Sequence, residues 1–144
     1  MGFVMRRLLF SLPNAGQGST WNKELIARIG EVEAKEATAL GYTNIYSPIL
    51  DIAQDPRWGR AVECYGEDPY LVGQLGKQMI QSLQKHKLVA TPKHFAVYSI
   101  PVGGRDGGTR TDRTWLRVKC VLSTLSLPRC ISGSRSIGSY ELIQ

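Results

Sequence analysis

Between Trp21 and Leu40 apolar residues recur at helical spacing: Leu25, Ile29 and Val32 form one row, with Ile26, Ala37 and Leu40 beside it. Lys23, Glu24, Arg28, Glu31 and Lys35 take the other faces, so the segment predicts an amphipathic helix stopped by Gly41. Tyr42 to Pro48 is rich in β-branched and aromatic residues and ends in proline, the pattern of a short buried strand. Asp51 to Glu67 reads as an extended, charged loop. Asp68 and Pro69 then predict a helix start, with Asp68 as N-cap and Pro69 in the first turn. That helix carries Leu71, Val72, Leu75, Met79 and Leu83 inward and Gln74, Lys77, Gln78 and Gln81 outward, and it runs out near Lys85. Leu88 to Thr91 is a second apolar strand, with Pro92-Lys93-His94-Phe95 at its carboxyl end. The order helix, strand, loop, helix, strand, loop is that of βα units in a parallel sheet, an α/β fold. In such sheets ligand-binding residues project from the carboxyl ends of the strands.

Charge changes this picture less than its total suggests. A net +6 would point to a polyanionic partner. Between Gly16 and Asp112, however, eleven basic residues meet eleven acidic ones. The excess sits at Arg6 and Arg7 and in Arg113, Arg117, Lys119, Arg129 and Arg135, so neither a nucleic-acid partner nor an anionic membrane is expected. Cys64, Cys120 and Cys130 have neither a C-x-x-C spacing nor a paired framework, which argues against a zinc site or disulfide. Arg6-Arg7-Leu8-Leu9-Phe10 imitates a signal peptide, yet the apolar run is short and Pro13-Asn14 interrupts it. No stretch approaches the length of a membrane span.

The chemistry-bearing residues are concentrated in Asp55-Pro-Arg-Trp-Gly-Arg60, in Glu63-Cys-Tyr-Gly-Glu-Asp-Pro-Tyr70, and in Lys93-His94-Phe95 after a helix-length spacer. In this order they resemble the N-terminal domain of glycoside hydrolase family 3, the β-glucosidases, β-xylosidases and related exo-acting enzymes. The resemblance covers roughly residues 16 to 112. It implies part of a (β/α)8 TIM-type barrel, incomplete because such a barrel needs about 250 residues and this chain has 144. A barrel cut part-way leaves strand edges and apolar helix faces without partners.

By the same resemblance, Arg60 is the arginine of the W-G-R turn, and Lys93 and His94 are the K-H pair that holds sugar hydroxyls in the subsite before the scissile bond. The side-chain chemistry agrees: arginine offers a planar fork of donors and lysine a point charge with three. The implied substrate is a β-linked glucoside, xyloside or oligosaccharide, and the resemblance implies no cofactor and no metal. The family's nucleophile is an aspartate well downstream of the K-H-F motif, and its acid/base usually lies in a following domain. The expectation is therefore a piece of a retaining glycosidase that is inactive by itself, with a non-catalytic carbohydrate-binding or structural module as the alternative.

Other residues have plainer readings. Asp55 and Arg57 pair with each other or cap the loop, and Trp58 is a packing residue rather than a sugar platform. Glu63, Glu67 and Asp68 invite assignment as a catalytic carboxylate pair, but their spacing does not support it, and in the resembling family these residues brace the loop and the next helix. Asp51 either reaches the barrel mouth or caps a loop, and it stays outside the candidate site. His94 standing alone would be a structural histidine; beside Lys93, at a strand end, it is read as a ligand. Gly103 to Gly108 lacks the lysine and the strand-to-helix setting of a phosphate loop and matches a mobile active-site loop of the family. Arg113 to Leu127 has no clean periodicity, and its degenerate codons, read one nucleotide out of register, give a family-like continuation. Residues 1–15 are accordingly expected to be out of frame or disordered and residues 113–144 to be an out-of-frame tail, with 16–112 as the barrel portion.

Overall fold

The computed structural model describes residues 13–94 together with 98 and 99. Phe95, the Gly103 to Gly108 run and both flanking segments lie outside the described residues. A short helix α1 (Asn14–Gly18) leads to α2 (Lys23–Ala39), β1 (Asn44–Ile45), a 3-10 turn (Ala61–Glu63), α3 (Pro69–Lys85) and β2 (Val89–Ala90). β1 and β2 pair in parallel, Asn44 with Val89 and Ile45 with Ala90, and α3 is the crossover between them. This is the βα order expected from the pattern.

The helix ends follow from local chemistry. Asn22 accepts from the Leu25 N–H at 2.9 Å and Asp68 accepts from the Leu71 N–H at 2.7 Å, each satisfying one orphan donor of a first turn. Trp21, expected within the first helix, precedes its cap at φ 54° and is 72% exposed. Gly41 adopts φ +84° just past α2, a conformation that favours glycine, so the helix stops where the sequence indicated.

The buried face of α2 differs from the expected one. Ile26, Gly30, Ala34 and Ala37 are buried, whereas Leu25, Ile29 and Val32 are only half-buried and Leu40 is 44% exposed. The reason lies in the packing of α2 on α3. A methyl group at Gly30 would lie 2.8 Å from Ser82 Cβ and 2.9 Å from Met79 Sδ, so the two helices meet along a seam of small residues. Larger side chains in that seam would hold the helices apart. From α3, Val72, Leu75, Met79, Ile80 and Leu83 enter the core, and Ala90 of β2 closes it with Leu50 and Leu88 from the flanking segments.

The strand expected over 42–48 is shorter and less buried than its composition implies. Tyr42 and Tyr46 are 60% and 53% exposed, because among the described residues β1 has one neighbouring strand, β2. The pairing resumes further along as a bridge from Ile49 to Lys93, with the Leu50 N–H donating to the Lys93 carbonyl at 2.7 Å. The numbering offset is 45 at Asn44 and Ile45 but 44 at Ile49, so one extra residue is inserted on the β1 side around Tyr46-Ser47-Pro48. Without it Pro48 would face Lys93. With it, the segment Leu50-Asp51 runs beside His94.

Candidate active site

The loop after β1 and the end of β2 converge. Asp51 and His94, 43 residues apart in sequence, meet with His94 Nδ1 2.5 Å from Asp51 Oδ2, and both side chains are 3% exposed. The Lys93–His94 peptide is cis. Tyr98 lies tilted against the His94 ring, with centroids 4.3 Å apart, and edge-on to Trp58 at 5.7 Å. The neighbouring Ser99 hydroxyl donates to the Ile52 carbonyl at 2.8 Å, which ties this stretch to the loop.

Arg60 completes the cluster. Its Nε and Nη2 both donate to Glu63 at 2.8 Å in a bidentate pair across one 3-10 turn, and its Nη1 donates to the Tyr98 hydroxyl at 3.4 Å. The guanidinium carbon stands 5.6 Å from the centre of the Tyr98 ring, within cation–π range. The hydrogen bonds from Arg60 hold the Glu63 carboxyl below the usual carboxylate range; partial burial opposes this, and the charges of Arg60, Lys93 and His94 reinforce it. Lys93 Nζ donates no hydrogen bond among the described residues. Burial pushes the Cys64 thiol up to about 12, with Asp51 and Glu63 adding to the effect, so Cys64 is an inert part of the floor.

Of the three candidate residues, Arg60 and His94 thus meet at Tyr98, and Lys93 acts through its charge on Glu63. Asp55 and Arg57 pair with each other as read from sequence, Arg57 Nη2 to Asp55 Oδ2 at 2.8 Å, and Asp55 also accepts from the Arg57 backbone N–H. Trp58 is 1% exposed and packs in the core. Of the three loop carboxylates, Glu63 is committed to Arg60, Asp68 caps α3 and Glu67 is exposed. Among the described residues no group of three His, Cys, Asp or Glu side chains converges as metal ligands would.

Two members of the cluster escaped sequence reasoning. Asp51 carried one usable signal, its place directly after a strand, but its partner lies on a different strand. Tyr98 lies beyond the K-H-F motif and had no pattern to mark it. A cavity of about 510 Å³ opens beside the same loop, lined by Ala15, Trp21, Tyr65, Glu67 and Leu71 among others. It includes none of Arg60, Lys93 or His94, so it is separate from the polar cluster.

A parallel βαβ unit with a polar constellation at its carboxyl end is the arrangement of a (β/α)8 barrel, whose sites lie at that end of the strands. The sequence profile of the glycosyl hydrolase family 3 N terminal domain matches residues 4–119. The chain belongs to glycoside hydrolase family 3, as part of its N-terminal (β/α)8 barrel domain. It is 46% identical over 99 residues to a beta-xylosidase of Formosa agariphila, covering 62% of this chain. It is 34% identical over 110 residues to a periplasmic beta-glucosidase of Salmonella typhimurium, covering 72% of this chain. The chain spans 14% of the length of each of these two relatives. It superposes on the crystal structure of a beta-glucosidase from Listeria innocua in complex with glucose at a TM-score of 0.70 and 30% identity, over 83% of this chain and 18% of that one.

Proposed function

We propose that this chain supplies one side of the glycone pocket of a longer retaining β-glycosidase that removes terminal β-linked glucose or xylose. Arg60, Lys93 and His94 hold the sugar hydroxyls. The observation that carries the reading is the meeting of Arg60 and His94 at Tyr98, at the carboxyl end of a parallel βαβ unit, with Lys93 next to His94 in the chain and its charge acting on Glu63.

Each residue has a distinct part. Glu63 and Tyr98 hold the Arg60 guanidinium in one plane, so its donors are oriented before substrate arrives. Lys93 brings a positive charge that makes its hydrogen bonds to sugar oxygens charge-assisted, which holds the ring in place as it flattens toward an oxocarbenium-like transition state. Retaining hydrolysis needs a carboxylate nucleophile and a carboxylic acid about 5 Å apart. In the cluster Asp51 is bound to His94 and Glu63 to Arg60, so the chain positions sugar and other segments of the parent enzyme carry out the chemistry.

Kinetics on an aryl β-glycoside test the reading. The 144-residue chain alone is expected to show no hydrolysis above buffer. In the full-length parent, Arg60→Ala and Lys93→Ala are each expected to lower kcat/KM roughly ten- to a hundred-fold, for a lost charge-assisted hydrogen bond of about 1.5–3 kcal/mol. The turnover number should fall as well as the affinity. Near-wild-type constants in both variants, with circular dichroism unchanged, would reduce these residues to loop supports.

A further inference from the structure

The buried contact between Asp51 and His94 decides more than where the ring sits. Asp51 Oδ2 lies 2.5 Å from Nδ1, and at 3% exposure for both side chains water is not available to compete for either atom. A carboxylate can only accept, so the proton belongs on Nδ1. Among the described residues Nδ1 is also the ring nitrogen with a hydrogen-bond partner, and Nε2 has none.

We propose that Asp51 is a positioning residue for His94: it fixes the Nδ1–H tautomer and thereby presents Nε2 as a hydrogen-bond acceptor. Beside it Lys93, and across the cluster Arg60, can only donate. Asp51 thus supplies the pocket, through His94, with the acceptor that a hydroxyl proton requires. A sugar hydroxyl is both donor and acceptor, and a pocket wall built from donors alone would leave its proton unmet in a dehydrated site. The assignment of a sugar hydroxyl as the group that meets Nε2 rests on the function proposed above; the tautomer does not.

The placement of Asp51 is built into the strand pairing. The inserted residue around Tyr46-Ser47-Pro48 sets Ile49 opposite Lys93, and the hydrogen bond from the Leu50 N–H to the Lys93 carbonyl brings Asp51 alongside His94. The same carboxylate also adds to the upward shift of the Cys64 thiol, behind burial.

The chain has two histidines, His86 and His94, so its imidazole nitrogens are readily assigned by nitrogen-15 NMR of the intact protein. At about pH 8.5 His94 should show a protonated Nδ1 and a bare, pyridine-type Nε2. His86, at the end of α3, serves as the internal reference. Asp51→Leu, which has no acceptor, and Asp51→Asn, whose amide can turn its N–H toward Nδ1, should both move the proton to Nε2. A wild-type ring protonated on Nε2, whether alone or together with Nδ1, overturns the proposal without reference to either variant. Glucose is then titrated into the wild-type chain, and a shift of the Nε2 resonance is expected. No response to glucose with the tautomer as stated would remove the sugar-site reading and leave Asp51 as the residue that sets the histidine.

Discussion

The interface between α2 and α3 and the loop cluster at the end of β2 are held together in opposite ways. The helical layer is apolar and close-packed, with Ile26, Ala34, Val72, Leu75 and Leu83 at 0% exposure and a glycine at the crossing. Its stability comes from area removed from water and from fit. The loop cluster is built of paired polar groups: Asp51 with His94 and Ser99 with the Ile52 carbonyl in the buried part, and Glu63 with Arg60 at its more exposed edge. Such pairs add little net stability, but they fix direction. The first region makes the chain fold and the second makes it specific, so substitutions should sort into two groups.

The sharpest separation is expected between Leu75→Ala and Lys93→Ala. Truncating Leu75 in the fully buried layer should cost about 2–5 kcal/mol. Lys93→Ala should change stability by no more than about 0.5 kcal/mol. Denaturant midpoints at constant slope measure both. A Lys93→Ala variant as unstable as Leu75→Ala would mean that the mouth is part of the folding core, and the comparison would collapse.

A smaller effect tests the seam. Gly30→Ala improves helix propensity by about 1 kcal/mol, yet it forces a methyl group against Ser82 and Met79, and overpacking costs about 1–3 kcal/mol. A net loss of about 1 kcal/mol is expected. A gain in thermal midpoint would show that the helices separate without cost.

The smallest expected effect belongs to the Arg60–Glu63 pair, whose side chains are 20% and 40% exposed. The folded protein holds the Glu63 carboxyl below its unfolded range, so the pair stabilises the fold fully above that range. The contribution is lost as pH falls through the lowered folded value. Exposure and salt keep it below about 1 kcal/mol. The stability difference between wild type and Glu63→Gln should therefore shrink as the pH is lowered from 7 to 3. A difference independent of pH would mean that the pair acts by packing alone.

What could be read from the sequence follows the range of the physics involved. The N-cap of α3 by Asp68, the stop of α2 at Gly41, the pairing of Asp55 with Arg57 and the order of βα elements are decided by residues a few positions apart, and local preferences suffice to find them. The resemblance carried by the W-G-R and K-H motifs singled out Arg60, Lys93 and His94 as candidates, and Arg60 and His94 meet at Tyr98. The face that α2 buries was not legible, because Leu25, Ile29 and Val32 are as apolar as their neighbours and the choice depends on how closely α3 approaches Gly30. The inserted residue between β1 and the Ile49 bridge, the meeting of Asp51 with His94 and the place of Tyr98 depend on strand register and loop closure across some forty residues. Local propensity determines which elements form, and burial in three dimensions determines which polar groups must find each other, because only the folded chain removes the water that would otherwise satisfy them.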